Sequence, residues 1–415
     1  MNFKPNRFHS REGVTQFLIY VYLILLSSSF NFLNFGGRNA LFIAAAILTS
    51  IILILLWRNQ FPIPTRHSVF LLLLYLPISY LASDNNGSIT SLMYSLFFIL
   101  SFVIIIPLTL RHFTREDFFA TVKFLLIAFF IVTVIGQVYV LLGLFNPGAG
   151  AFEGHGLFGT AFARETGTVR FYSLSSEPSY AATIVVLLYY LFQQNSRLSG
   201  DSRNRLFFLF VTTYMVISFT SGFGYLLFGI LLWNNLRNQN PKWAILGFVA
   251  LLLLSILFLT VDFDIYAVER IKNIATQFDF SDWTSIRAVD YSASFRILPF
   301  YYYVNNIDVF SLDFYLGAGP TVSDHFLNRY LFPHITDGSV TFQGGLLPGF
   351  LIDYGIFGFA LLLISFHLET RSLLSFGTLI MLMVIVNANF NTQLFWMSFT
   401  FLTLNSSLSL YEDIS

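Results

Sequence analysis

Long apolar runs recur along this chain, and each is about as long as a bilayer is thick. A transmembrane helix needs roughly 20 consecutive apolar residues. Runs near that length, bounded by charged residues, Asn, Gly or Pro, predict twelve transmembrane helices at about 17–33, 39–57, 68–83, 89–110, 120–145, 178–193, 206–220, 222–236, 243–261, 346–366, 373–388 and 391–410. Only Thr220, Ser221 and Gly222 divide the pair 206–220 and 222–236, which predicts either a tight hairpin or one bent element.

The composition explains why these runs need lipid around them. The chain is 56% hydrophobic and 11% charged, whereas a soluble domain is about 25% charged. It therefore lacks the polar surface to cover a globule of its size in water, and we expect an all-α, polytopic membrane protein forming a single integral membrane domain over 1–415. A net charge of zero gives no reason to expect nucleic acid as a partner, and the absence of cysteine excludes disulfides and thiol chemistry.

The distribution of Lys and Arg orients the predicted helices. The polar N-terminal segment 1–16 runs into an apolar span without a cleavage site, so it predicts a first helix rather than a signal peptide. If the N-terminus is cytoplasmic and the sides alternate, 14 of the 22 Lys and Arg residues lie on the cytoplasmic side. Five of the other eight lie in one long external loop, where the positive-inside rule has little force. Both termini are therefore predicted to be cytoplasmic.

Two long external loops result from this arrangement, at about 146–177 and 262–345. Loops of this length in a compact protein are usually functional. The second loop carries aromatic residues throughout and has helix-like stretches at about 264–278 and 294–306. We expect these stretches to be short amphipathic helices that fold back against the membrane face.

The ionisable residues gather in the loops and leave the middle of every predicted span free of Asp, Glu, Lys and Arg. Ion-coupled transporters usually keep such residues at mid-membrane, so their absence argues against a pump. In the first loop, Arg164, Arg170 and Glu177 precede Pro178, which suits the first turn of a helix with Glu177 or Ser176 at its N-cap. Arg170 then either pairs with Glu177 or reaches an anionic group bound at that helix end.

The second loop offers further candidates for charge chemistry. Arg287 and Arg296 come early, and Arg296 stands in an apolar setting that makes an accidental exposed charge less expected. His334 and Asp337 follow later. Arginine's planar fork matches phosphate oxygens bidentately. No pair of His residues with a carboxylate has metal-ligand spacing, so neither a metal nor any other cofactor is predicted.

Four segments of this chain resemble the superfamily of bacterial inner-membrane glycan enzymes that contains the O-antigen polymerases and O-antigen ligases. Segment 170–179, RFYSLSSEPS, is similar to the Arg…Glu-Pro-Ser stretch that opens a central helix. Segment 219–224, FTSGFG, resembles a Thr-x-Ser-Arg-Gly turn, although no Arg follows Ser221. Segment 294–320, which ends in LGAGP, resembles a Ser…Arg…Gly-x-Gly stretch with Arg296 at the Arg position. Segment 343–358, QGGLLPGFLIDYGIFG, resembles the helix by which the chain re-enters the membrane.

The resemblance implies a GT-C-like helical fold and a glycosyl transfer at the external face of the bacterial inner (cytoplasmic) membrane. The substrates would be undecaprenyl-pyrophosphate-linked oligosaccharides of an O-antigen, capsule or exopolysaccharide. Membrane lipid and a chain-length regulator are the other candidate partners. Arg170, Arg296, Arg287 and Arg164 would then bind the pyrophosphate, and the base would come from Glu177, His334 or Asp337.

Three alternatives to a polymerase stay open at this stage. The ligase branch has a His about ten residues before the re-entry Gly, where this chain has Gln343-Gly344, and this departure favours a polymerase. A flippase or other transporter of lipid-linked oligosaccharides would place polar groups inside the spans and short loops outside, the reverse of this pattern. An accessory membrane subunit would leave the two arginine-bearing loops unexplained.

Overall fold

The fold is described from a computed structural model of the chain. The described residues are 11–28, 34–35, 38–39, 67–83, 88–144, 160–163, 168–175, 177–198, 204–239, 242, 245, 249, 266–279, 281–323, 326, 346–370, 376–388, 390 and 392–414. Arg164, His334 and Asp337 lie outside them, as do nearly all residues of the predicted spans 39–57 and 243–261.

Helices make up most of this described part, and we number them along it. They are α1 (Arg11–Ser27), α2 (His67–Ala82), α3 (Ile89–His112), α4 (Arg115–Leu141), α5 (Pro178–Leu198), α6 (Arg205–Ser218), α7 (Gly222–Gln239), α8 (Tyr266–Gln277), α9 (Ile286–Val289), α10 (Tyr291–Asn306), α11 (Leu312–Leu316), α12 (Leu346–Thr370), α13 (Phe376–Asn387) and α14 (Gln393–Ile414). A short 3₁₀ helix, Trp283–Ser285, precedes α9.

The described residues form two compact units. The first takes residues from 1–26, 43–115 and 281–415, and the second from 27–42 and 116–280. In the first unit α12 packs against α2, α10, α11, α13 and α14, while α3 packs against α2 and α14. In the second unit α5 packs against both α6 and α7.

Among the residues that the structure describes, three helices are long and apolar enough to cross a bilayer, namely 89–112, 115–141 and 347–370. Only 44% of the residues in the most apolar stretch of helices 89–112 and 115–141 are buried, and 50% of those in helix 347–370 are buried. The exposed remainder is also apolar, with Phe124, Ile131 and Ile364 among its members, and such a surface suits lipid rather than water. The full count of twelve spans stays a prediction.

The described helices that correspond to predicted apolar runs begin and end within about five residues of them, except α1, which lies six residues earlier than the predicted run 17–33. The region around Thr220 consists of two separate helices, α6 and α7, rather than one bent element. The helix break falls at Thr220, whose φ is 48°, and the Ser221 hydroxyl then accepts the Gly224 N–H at 3.3 Å to start α7. The two helices predicted in the second external loop are confirmed as α8 and α10.

Two short antiparallel hairpins depart from the all-α prediction. The first pairs β1 (Asn34–Phe35) with β2 (Arg38–Asn39), and the second pairs β3 (Thr160–Ala163) with β4 (Thr168–Phe171). The second hairpin lies inside the first predicted external loop, where no strand was expected. Each strand has at most four residues, which is too short for alternation to stand out in a sequence.

Two threonine hydroxyls inside the long apolar helices bond to the backbone of their own helix. The Thr109 hydroxyl donates to the Ile105 carbonyl at 2.7 Å in α3, and the Thr133 hydroxyl donates to the Phe129 carbonyl at 2.7 Å in α4. Such bonds to the residue four positions earlier leave no unmet donor toward lipid. These two threonines therefore sit in long apolar helices at little cost.

Candidate functional site

A break in α12 brings two of the four segments together in the first unit. The helix is interrupted at Gly355, whose φ is 67° and ψ −179°. The LGAGP stretch lies directly against this break, with Gly317 at φ 92°. A β-carbon at Gly317 would collide with the Asp353 carbonyl, and one at Gly355 would collide with the Tyr315 carbonyl. The two backbones touch because neither glycine has a side chain.

Hydrogen bonds also join the two segments at this break. The Ala318 N–H donates to the Ile352 carbonyl at 2.8 Å, and the Gly319 N–H donates to the Asp353 carbonyl at 3.0 Å. The next carbonyl, on Tyr354, accepts the Tyr75 hydroxyl of α2 at 2.9 Å. An interrupted helix leaves carbonyls without partners, and in a membrane protein those groups need partners from the protein. The LGAGP stretch and α2 supply them.

Asp353 ties the segment after LGAGP to α12. One of its carboxylate oxygens accepts the Thr321 N–H at 3.0 Å, and the other accepts the Ser323 N–H at 2.8 Å. The residue is buried. A buried carboxylate that accepts two backbone N–H bonds holds a turn strongly because both bonds are charge-assisted.

Sequence reasoning did not assign Asp353 a role. The available signal was a lone carboxylate within an otherwise apolar run, beside Tyr354 and Gly355. Such a residue is costly in a membrane span unless it has partners. The same reasoning also missed Tyr75 and Ser79 on α2. The hydroxyls of both donate to the Leu316 carbonyl, at 3.2 and 2.5 Å.

Replacing Asp353 with Asn is expected to loosen this turn. The amide keeps one acceptor oxygen but turns an NH₂ group toward a backbone N–H, so one charge-assisted bond is lost and a donor is left facing a donor. The expected cost is about 1–3 kcal/mol of unfolding free energy, measured as a lower thermal unfolding midpoint of the purified protein in detergent.

Asp313→Asn is the matched control for this variant. Asp313 is exposed on neighbouring α11, so its neutralisation should leave the midpoint within experimental error. Equal midpoints for both variants would contradict the anchoring role of Asp353.

The other two segments meet in the second unit. The chain leaves β4 through a buried turn in which Ser173 has a φ of 51° and its hydroxyl donates to the Phe129 carbonyl at 2.7 Å. Phe129 lies near the middle of α4. This part of the first predicted external loop is therefore packed beside the middle of a helix long enough to span the bilayer, rather than beyond its end.

The FTSGFG turn packs against the helix that the Glu-Pro-Ser stretch opens. Gly224 lies so close to Ala182 of α5 that a β-carbon on it would collide with the Ala182 side chain. Segments 170–179 and 219–224 are thus neighbours through the start of α5. The four segments come together two by two, one pair in each unit.

Arg170 and Glu177, both predicted site residues, flank the buried turn. Arg170 lies in β4, where its backbone is in register with Ala161, while its side chain lies outside the described part. Glu177 is exposed directly before α5, and its carbonyl accepts the Ala181 N–H at 2.9 Å. The prediction that Pro178 opens this helix is confirmed. The pairing of Arg170 with Glu177 stays a prediction.

Arg287 and Arg296 lie on two helices joined by a buried aspartate. Asp290 caps α10 by accepting the Ala293 N–H at 2.8 Å, with Arg287 exposed on α9 before it and Arg296 on α10 after it. The side chain of Arg296 lies outside the described part. Burial raises the pKa of the Tyr302 hydroxyl, and the positive charge of the Arg287 guanidinium partly opposes that rise.

The predicted residues therefore divide between the units, with Arg170 and Glu177 in the second and Arg287 and Arg296 in the first. Within the described residues, no group of three or more His, Asp or Glu side chains is placed to hold a metal ion.

No protein-family model matches this chain, and no curated protein matches it either.

Proposed function

We propose that this chain is a glycosyltransferase of the bacterial inner membrane that polymerises undecaprenyl-pyrophosphate-linked repeat units. The observation that supports the proposal most is the pairing of the four resembling segments. Gly224 of segment 219–224 packs against Ala182, three residues after segment 170–179 in the helix that this segment opens, while LGAGP and segment 343–358 share hydrogen bonds at the α12 break. Stretches far apart in sequence that fold into contact suit a built site better than an accidental match.

In this proposal the chain crosses the bilayer twelve times with both termini in the cytoplasm. The apolar helices form the scaffold and accommodate the polyprenyl tails. The arginine-bearing loops lie on the external face, where the lipid-linked sugars are presented. The three long apolar helices described above agree with this arrangement.

The reaction we propose is a displacement at the anomeric carbon of the donor glycan. A hydroxyl of the acceptor repeat unit attacks that carbon and forms the new glycosidic bond. The bond between this carbon and the phosphate oxygen breaks, and undecaprenyl pyrophosphate leaves with the electron pair. The acceptor proton passes to a base, for which Glu177, His334 and Asp337 are the candidates.

Negative charge grows on the pyrophosphate as it leaves. Fixed cations aimed at that charge stabilise the transition state. Arg170 and Arg296 are the principal candidates, with Arg287 and Arg164 next. Since arginines can neutralise the leaving group, this mechanism requires no divalent metal.

Turnover by the purified protein alone tests the proposal. The chain is reconstituted in lipid nanodiscs with lipid-linked repeat units extracted from a host strain that lacks it. A polymerase lengthens the glycan and releases one undecaprenyl pyrophosphate for each bond formed. Transfer only to a lipid A core acceptor would instead identify a ligase. Movement of the substrate across vesicles without pyrophosphate release would identify a transporter, and either result would overturn the proposal.

A further inference from the structure

The turn between α10 and α11 carries a cluster of exposed apolar side chains. Phe310 is 90% exposed, Leu312 75% and Val304 68%. Large apolar residues are rarely this exposed together on a surface that faces water. We propose that this turn, residues 304–315, inserts into the external leaflet of the bilayer, so that lipid acyl chains cover Phe310 and Leu312.

Several backbone N–H groups of the turn have partners within it. The Phe310 N–H donates to the Asp308 carboxylate at 3.0 Å, and the Ser311 N–H donates to the Asp308 carbonyl at 3.1 Å. The Ser311 hydroxyl then caps α11 by accepting the Phe314 N–H at 3.2 Å. Backbone groups without partners are what normally keeps a loop out of hydrocarbon. In this turn the backbone N–H groups of Phe310, Ser311 and Phe314 already have acceptors, so they do not oppose insertion of the apolar side chains.

The exposed cluster continues into the exposed face of a membrane-length helix. Tyr315, at the end of the turn, has its ring centroid 5.7 Å from that of Phe357 on α12. Phe357 is exposed, and Ile364 and Leu368 extend the exposed apolar face along the same side of α12. The same lipid that covers this face would therefore reach the turn.

The position of Phe357 along α12 indicates how deep in the bilayer the turn lies. It lies 13 residues before Thr370, the last residue of the helix, or roughly 20 Å at 1.5 Å per residue. The hydrocarbon core of a bilayer is about 30 Å thick. If Thr370 marks the cytoplasmic boundary, Phe357 lies in the outer half of the hydrocarbon, and the turn that contacts it lies at the level of the external leaflet.

The charges of the turn favour lipid chains over a charged partner. No Lys or Arg occurs between Arg296 and Arg329, so nothing here would attract anionic headgroups. Asp308 holds the backbone of the turn, and Asp313 is exposed on α11. Insertion driven by apolar area should not depend on anionic lipid and should persist at high salt.

Single-cysteine spin labelling tests the insertion cleanly because the chain has no cysteine of its own. Phe310→Cys and Leu312→Cys are labelled separately with a nitroxide in phosphatidylcholine nanodiscs. Ile364→Cys serves as the lipid-facing reference and Thr284→Cys, an exposed position in a polar turn, as the water-facing one. Both test labels should match the Ile364 label, with relaxation accelerated more by oxygen than by a water-soluble nickel chelate, in 0.1 M and in 1 M salt.

Two results would overturn the inference. If the nickel chelate relaxes both test labels as strongly as it relaxes the Thr284 label, the turn lies in water. If the spectra show spin–spin broadening that disappears on dilution with unlabelled protein, a second copy covers the turn instead of lipid. Neither readout involves catalysis, so the insertion is tested independently of the proposed function.

Discussion

Replacing Gly355 with alanine is expected to disrupt the contact between α12 and LGAGP and to cause a large loss of stability. Gly355 has φ 67° and ψ −179°, a conformation that is essentially restricted to glycine and costs other residues about 1–3 kcal/mol. The added β-carbon would also collide with the Tyr315 carbonyl. Because that atom belongs to the backbone, the collision is relieved only by moving α11 away.

The combined cost should be on the order of 4 kcal/mol. The measurement is the fraction of monodisperse protein that survives heating in detergent, with an expected fall of roughly 5 °C in the midpoint. Gly143→Ala is the matched control, since Gly143 also has a φ of 67° but a β-carbon there meets no atom within 4 Å. It reports the cost of a positive φ at a site without such a collision. A midpoint for Gly355→Ala no lower than that of Gly143→Ala would show that the close approach to α11 does not matter.

Arg296→Ala and Arg170→Ala proteins are expected to insert normally and to lose long-chain polymer, leaving the single-repeat product on a glycan gel. Each arginine is proposed to stabilise charge on the departing pyrophosphate, and removing one such donor typically costs about 100-fold or more in rate. The readout is the chain-length ladder of a strain that carries each variant as its only copy, with membrane insertion checked by immunoblot.

Two further kinds of variant distinguish loss of the positive charge from loss of the planar guanidinium group and from a nonspecific effect of removing any arginine. Lysine at either position keeps the charge but not the planar fork, so it should restore only part of the ladder. Arg237→Ala removes an exposed arginine at the end of α7, a position predicted to be cytoplasmic, and should leave the ladder unchanged. Wild-type ladders from both Arg296→Ala and Arg170→Ala would reject the proposed roles.

The helices of this fold were largely predictable because their bounds depend on local sequence. The run 89–110 predicted α3, and Pro178 marked the start of α5. Apolar length and helix-start signals act within a few residues and are visible in one sequence. The break between α6 and α7 was left open, because Thr220 adopts a positive φ that is uncommon for a threonine.

The contacts that build the candidate site were not predictable in the same way. The Ser173 bond to the Phe129 carbonyl joins residues 44 positions apart, and the Tyr75 bond to Tyr354 joins residues 279 positions apart. No periodicity signals such pairings. The four segments were recognised by resemblance alone, and sequence reasoning did not predict that they would pair two by two.

The hydroxyl of Tyr75 also limits the order in which this protein can be completed during synthesis. Its acceptors on Leu316 and Tyr354 emerge from the ribosome 241 and 279 residues later. At typical synthesis rates this delay is on the order of tens of seconds. During that time α2 is already made while its polar partners do not yet exist. The first unit therefore closes late, when α12 arrives, and nascent chains that end before α12 cannot make the bond to Tyr354.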